Sequence, residues 1–379
     1  MVDFELDPET ALLRDAARDF AEKELVPNAS RWDKERRFPE EAIKKAAELG
    51  FLGMTIPEEY GGIQLGNLAL CVLLEEINRG CASTGVTISV HNSLFCSPLV
   101  KFGTEEQKQR ILPKMATGEW LGAYCLSEAG AGSDAAALRC TAVRDGDDWI
   151  LDGPKLWITT GSKADVFIVF ARSGEHRTRG ITAFLVERSR EGCEVGKKED
   201  KLGIRASPTT EILLNGCRVP GSNLLGEEGQ GFKIALDTLD GGRLGIASQS
   251  LGIASACLEA SIKYAKERTQ FERPIAEYQA IQWKLADLAT DLEAGRLLTW
   301  RAASKRDQGN TVTTESAMAK LFASLACNRA ARQAVQIHGG AGYTREFPVE
   351  RFMRDARITE IYEGATDIQR LVIARSLLA

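Results

Sequence analysis

Apolar residues in this chain keep helical spacing up to about residue 118, fall into short β-like runs across 119–228, and return to helical spacing through 229–379. That double change of period constrains the fold more than any single motif does. It implies a helical domain (1–118), a β domain (119–228) and a second helical domain (229–379), with ligand clefts expected at the seams. No solenoid-type repeat is visible. Asp7-Pro8 reads as an N-cap with proline at the first helical position, ahead of Leu13, Ala16, Ala17 and Phe20. Residues 39–50, 68–79 and 104–117 repeat the pattern. In the middle block, 149–157 reads as two strands around an Asp152-Gly153 turn, with further strands at 166–170, 182–186 and 212–214. Long helical stretches then cover 232–267, 274–307 and 312–338.

Several functional classes are excluded early. The 379 residues carry a net charge of −5, which leaves no electrostatic footprint for nucleic acid. Nine scattered cysteines without a C-x-x-C pair, and only three histidines, argue against a metal site. The cysteines sit in apolar surroundings and read as reduced core residues of a reducing compartment. The first residues lack the basic and apolar regions of a signal or transit peptide, so a bacterial cytoplasmic protein is expected, or a processed mitochondrial matrix form. Residues 80–100 contain no Asp, Glu, Lys or Arg, yet Ser83, Thr87, Ser89, His91 and Asn92 favour a buried, cavity-lining helix over membrane insertion. No strand is followed by G-x-G-x-x-G, which argues against nicotinamide as a direct electron acceptor.

The tail carries the most chemistry. Arg354-Asp-Ala-Arg-Ile-Thr-Glu-Ile-Tyr-Glu-Gly-Ala-Thr-Asp-Ile-Gln-Arg370 places Glu363-Gly364 in the turn before a helix, and Thr366 and Gln369 have capping-box spacing. A carboxylate there can reach a ligand, and Gly364 lets backbone come close to it. The run Arg-Ile-Thr-Glu-Ile-Tyr-Glu-Gly closely resembles the signature of the acyl-CoA dehydrogenases, and the resemblance extends along the whole chain, nearest to the short-chain, butyryl-type members. It implies a barrel-like or sandwich middle domain and a C-terminal four-helix bundle. It also implies bound FAD, a homotetramer, an electron-transfer flavoprotein as acceptor, and Glu363 as catalytic base.

The other motifs are bland singly and match that family together. A Gly-Ala-Gly loop is more often an ordinary turn, but 124–134 (Tyr124-Cys-Leu-Ser-Glu-Ala-Gly-Ala-Gly-Ser-Asp134) resembles the family's flavin-binding segment, with Ala129 where proline is usual. The resemblance gives Tyr124, Leu126 and Ser127 to the flavin, Gly132 and Ser133 to its pyrophosphate, and Ser133 also to the thioester ligand. Trp157-Ile158-Thr159 matches the segment whose indole packs on the flavin and whose threonine meets its N5, with Thr160 replacing the usual asparagine. The segment 239–243 (Leu239-Asp-Gly-Gly-Arg243) reads as the beginning of a helix; a lone Asp/Arg pair is usually a surface ion pair of small worth, and Asp240 and Arg243 match acyl-CoA contacts. Gly242 stands where isovaleryl- and long-chain relatives carry their base, which leaves Glu363 as the candidate. Arg268, Phe271, Gln279, Gln336, Gly339 and Gly340 match residues that reach the flavin of a neighbouring subunit. Thr366 and Asp367 complete the cofactor set and Gly364 the substrate set. Ala365 replaces a threonine near the flavin, a hydroxyl that Thr366 either replaces or leaves missing while capping the helix. Leu94 and Phe95 match the acyl pocket and suit a C4-like chain, with branched isobutyryl or 2-methylbutyryl groups open. The rival readings are a flavin oxidase and a catalytically silent subunit that binds CoA esters.

Overall fold

The computed structural model describes residues 5–378. Seven helices precede the sheet: α1 (Pro8–Phe20), α2 (Val26–Glu35), α3 (Glu40–Glu48), α4 (Gly66–Gly80), α5 (Ala82–Ser89), α6 (Ser97–Phe102) and α7 (Glu105–Ala116). Asp7 caps α1, accepting from the amides of Glu9 and Thr10 at 3.0 and 2.9 Å. Thr104 and Gln107 form a complete capping box on α7. The uncharged stretch is buried from Cys81 through Cys96. It holds α5 and a π-helical segment, Val90–Cys96. Two of its hydroxyls turn back onto their own helix, Thr87 to the Ser83 carbonyl (3.1 Å) and Ser93 to that of Ser89 (2.6 Å), so these two polar side chains are buried with partners. Among the described residues no helix is long and apolar enough to cross a membrane.

The middle domain is an eight-stranded sheet of β1 (Gly122–Cys125), β2 (Thr141–Asp145), β3 (Asp148–Thr159), β4 (Val166–Arg172), β5 (Ile181–Glu187), β6 (Cys193–Lys198), β7 (Thr209–Pro220) and β8 (Leu224–Leu225). Its order is β6-β7-β3-β2-β4-β5-β8, with β1 parallel to β4. One face closes on itself: Cys125, Ala142, Leu151, Phe167, Phe184, Cys193 and Val219, from seven strands, share one core. The other face of β4 (Val166, Ile168, Phe170) packs on Leu99, Ile111 and Met115 of the N-terminal helices. Burial of both faces explains the unbroken apolar run of β4.

Two sequence expectations are corrected here. Asp152-Gly153 is not a turn, because β3 runs through it. Gly153 (φ 132°) sits where the register against β7 shifts, and a Cβ there would lie 2.9 Å from Cys140 Cα. The hairpin turns one step earlier, at Gly146 (φ 64°), closed by the Asp145–Asp148 pair. An Asp-Gly pair serves a bulge as well as a turn, and local sequence does not separate the two. The segment 239–243 likewise lies inside a helix rather than at its start.

That helix is α8 (Gly231–Glu267). A small hairpin of β9 (Thr269–Gln270) and β10 (Arg273–Pro274) follows, then α9 (Gln279–Asp307), α10 (Thr313–His338), α11 (Val349–Ala356) and α12 (Thr366–Leu378). Helices α8, α9 and α10 pack side by side, with α11 and α12 on α10. Their core of Ala247, Leu251, Leu292, Ala323 and Cys327 is continuous with Val86, Val90 and Leu94 of the N-terminal domain. All nine cysteines are buried and unpaired.

Arg354 ties the three parts together. From α11 it donates to both Asp33 oxygens on α2 (3.1 and 2.8 Å), to Glu350 (2.8 and 3.0 Å), and to the Leu202 carbonyl ahead of β7 (3.3 Å). Beside it, Asp355 accepts from the Ile204 amide at 2.5 Å. Arg354→Met removes the bidentate partner of a buried Asp33, a change expected to cost roughly 3 kcal/mol. A lower urea midpoint for that variant checks the prediction; an unchanged midpoint refutes it.

Candidate active site

The turn ahead of α12 has two consecutive left-handed residues, Glu363 (φ 50°) and Gly364 (φ 94°). Glycine tolerates that conformation; glutamate is strained in it, and such strain is held only when its surroundings over-determine it. Two donors hold the turn through the Gly364 carbonyl, Lys320 Nζ at 2.6 Å and Gln369 Nε2 at 2.8 Å. Gln369 is therefore an anchor rather than half of a capping box, and the Thr366 hydroxyl donates to the Glu360 carbonyl (3.0 Å), not to an amide of α12. Asp367 points to solvent and pairs with Arg370 at 2.9 Å.

Glu363 faces α8 at Gly242. A Cβ on Gly242 would overlap Glu363 Oε2 and stand 2.8 Å from Leu94 Cδ2, so this helix position has no room for a side chain. The Glu363 Oε2 atom is buried and finds no partner among the described residues. Burial pushes this carboxyl up to about 8, against the opposing pull of Lys320 and then Arg243. Arg243 is also buried. One of its nitrogens pairs with Asp240 at 2.6 Å, Thr313 donates to the other Asp240 oxygen at 2.6 Å, and Arg243 Nε has no partner among the described residues. An unpaired acceptor facing Gly242 and an unpaired donor of opposite charge on the next residue of α8 are thus both buried here. A charged acceptor and a charged donor left this way can take the polar groups of a ligand. The Tyr362 hydroxyl donates to Gln249 Oε1 beside them. Leu94 lines this space. Phe95 does not: its ring lies over Gly122 in the core behind β1, because successive helical residues point in different directions.

A second platform sits at the sheet. The Ser127 carbonyl accepts from the Leu156 amide at 2.9 Å, which joins the loop after β1 to the end of β3. Trp157 lies in a bulge at φ 57° with its side chain 55% exposed, while Ile158 is buried in the sheet core and offers a ligand only its backbone. Thr159, two residues on, is half-buried at the end of β3. The Gly130 and Gly132 positions have nothing within 4 Å of a Cβ, so their backbone is open to an approaching group. Tyr124 bridges the two platforms: its hydroxyl donates to the Ala235 carbonyl on α8 (3.3 Å), and its ring environment feels the Glu363 charge. An exposed indole on a left-handed backbone position, a hydroxyl two residues on and an open glycine loop fit a flat ring with a pyrophosphate attached. Ser133 lies in the exposed part of that loop, whose end is pinned by Asp134 and Arg177 at 2.7 Å.

Two supports here carried no local sequence signal. Lys155, wholly buried, pairs with Glu128 at 2.6 Å and donates to the Leu126 carbonyl at 3.3 Å, while Glu128 accepts from the amides of Arg139 and Cys140 at 2.6 and 3.0 Å. The glycine loop is thereby held from beneath. Lys320 is the other.

Arg268, Phe271, Gln279, Gln336, Gly339 and Gly340 are all exposed, at the end of the bundle where Tyr264 stacks on His338 at 4.2 Å. Phe271 and Glu272 form a hairpin loop with positive φ at both positions, and Phe271 is 88% exposed.

Profiles of the acyl-CoA dehydrogenase N-terminal, middle and C-terminal domains match residues 7–119, 123–217 and 229–378. The mitochondrial short-chain specific acyl-CoA dehydrogenase of Rattus norvegicus is 55% identical over 373 residues, covering 98% of this chain and 90% of its own length. This chain belongs to the acyl-CoA dehydrogenase family. The butyryl-CoA dehydrogenase of Megasphaera elsdenii superposes with a TM-score of 0.98 at 42% identity over the full length of both chains. A chain from work on the electron-transferring flavoprotein of Acidaminococcus fermentans and flavin-based electron bifurcation superposes equally well, at 46% identity over both full lengths. FAD is the cofactor of the acyl-CoA dehydrogenases.

Two substitutions probe the geometry. Gly242→Ala is expected to displace the Glu363 carboxylate and lower kcat by roughly 10²-fold, with bound flavin retained; a near-normal kcat refutes the steric reading. Thr160 is a β-branched residue at φ 63° whose buried hydroxyl has no partner among the described residues. Asparagine tolerates that backbone better, so Thr160→Asn is expected to stabilise the protein by about 1 kcal/mol, checked as a rise in thermal midpoint.

Proposed function

We propose that this acyl-CoA dehydrogenase oxidises short-chain acyl-CoA thioesters to trans-2-enoyl-CoA, with Glu363 as the base. The observation that carries the reading is Glu363 Oε2, buried and without a partner among the described residues, opposite the side-chain-free position of α8. When bound, FAD supplies the two-electron acceptor for the β-hydride. Glu363 takes the α-proton. The α-proton of a thioester is weakly acidic, and a base alone supplies roughly 10²–10⁴-fold. A positioned donor for the developing enolate oxygen must add to it, and the Glu363 amide at the left-handed turn is the nearest backbone candidate. Arg243 Nε, held in place by Asp240, offers a charged donor to the thioester ligand. Tyr124, Leu126, Ser127, Gly132, Ser133, Trp157 and Thr159 would hold the cofactor in the seam. The exposed set around Phe271 and Gly339 would complete the flavin site of a second copy, in a homotetramer. An electron-transfer flavoprotein is the proposed acceptor, a reading supported by the Acidaminococcus neighbour. Nine buried, unpaired thiols suit a reducing compartment.

Anaerobic titration with butyryl-CoA is expected to bleach the flavin band, more completely than longer chains do. Glu363→Gln keeps the band and loses at least ~10²-fold in turnover. Near-normal turnover in that variant would sink the assignment. Because Glu363 must be ionised to accept a proton and burial lifts it to about 8, kcat/KM for butyryl-CoA should climb about tenfold per pH unit on the acid side and level off above that value. A profile flat from pH 6 to 9 contradicts it.

A further inference from the structure

Lys320 lies on α10 with no solvent exposure at all. A buried ammonium is costly unless paired. Arg243, the neighbouring cation, has Asp240 at 2.6 Å to offset its charge. Lys320 has no ion-pair partner among the described residues, and the hydrogen bond it makes is to a neutral group, the Gly364 carbonyl, at 2.6 Å. That carbonyl belongs to the residue after Glu363, in the left-handed turn. A packing role would be served as well by an uncharged side chain, so the charge needs another reason.

We propose that Lys320 is a positioning residue for the base: it fixes the Glu363–Gly364 turn through the Gly364 carbonyl and presents a buried positive charge to the Glu363 carboxylate. This rests on the reading of Glu363 as the base. The charged and titratable groups around that carboxylate are Lys320 on α10, Arg243 and Asp240 on α8, Glu360 and Tyr362 in its own segment, and Tyr124 on β1. Of the two cations, Lys320 exerts the stronger pull on Glu363 and has no carboxylate of its own to spend its charge on. Burial lowers Lys320 itself, to about 8, so its charge is itself sensitive to the groups beside it.

The test isolates proton abstraction. Acetyl-CoA has an α-CH₃ group and no β-carbon, so it cannot be dehydrogenated. Exchange of its α-protons in D₂O, followed by mass spectrometry on the flavin-loaded enzyme, reads the base without hydride transfer. The pH at which exchange reaches half its plateau is compared for the parent, Lys320→Met, Lys320→Gln and Lys320→Arg. Lys320→Gln keeps a donor for the Gly364 carbonyl and removes the charge. The expected result is a half-plateau pH raised by on the order of one unit in both neutral variants, a lower plateau in Lys320→Met than in Lys320→Gln, and a half-plateau near the parent's in Lys320→Arg. A slower exchange with an unmoved half-plateau in every variant that folds would mean a structural role and overturns the proposal, as does parent-like behaviour throughout. Failure of the base assignment looks different: exchange by the parent would then survive in Glu363→Gln.

Discussion

The site depends on how closely one turn of backbone can lie against one helix. Glu363 reaches its position because α8 has no side chain at Gly242 and because the Gly364 carbonyl is held by two donors from neighbouring helices. Steric room and hydrogen bonding act on the same turn and restrict it in different directions. The missing Cβ sets how deep the carboxylate sits, and the anchored carbonyl sets which way it points. Burial then does the electrostatic work, since a carboxyl removed from water holds its proton more tightly and becomes a stronger base.

Both helical domains are needed to build that environment. Leu94 approaches from the N-terminal π-helical segment, Gly242 and Arg243 from α8, and Lys320 from α10, while Tyr124 reaches across from the sheet. A π-helical segment widens one turn and shifts the phase of the residues that follow. This segment holds both Leu94, which faces the base, and Phe95, which faces the sheet. The β domain in turn carries a platform stiffened by the Lys155–Glu128 pair, so the glycine loop stands on a buried ionic support.

Much of this was legible in the residues. Period changes marked the helical and β blocks, the Asp7-Pro8 cap marked the start of α1, and the Glu363 turn was visible from Gly364 and the apolar pattern of α12. The misread places share a cause. Asp152-Gly153 is a bulge because of what lies across from it on β7, and Thr366 is not a cap because the Glu360 carbonyl claims its hydroxyl. Phe95 turns away because successive residues of a helical segment point in different directions, so Leu94 and Phe95 do not share a face. Lys155 and Lys320 stood in sequence as ordinary lysines; Glu128 lies 27 residues from its partner and Gly364 lies 44 from Lys320. Pattern reading sees neighbours along an element, whereas these contacts exist only after the domains meet.

The tail segment divides its labour in a way that matters when reading other chains. Arg354 and Asp355 hold α2, α11 and the loop before β7 together, and Glu363, nine residues past Arg354, faces the ligand space. A descendant that abandoned catalysis would still need the first part to stay folded. Most of the segment would then survive in a protein with no turnover, and overall likeness across it would overstate the case for an enzyme. The informative comparison is narrower: whether a carboxylate persists at the left-handed position while the facing helix keeps its glycine.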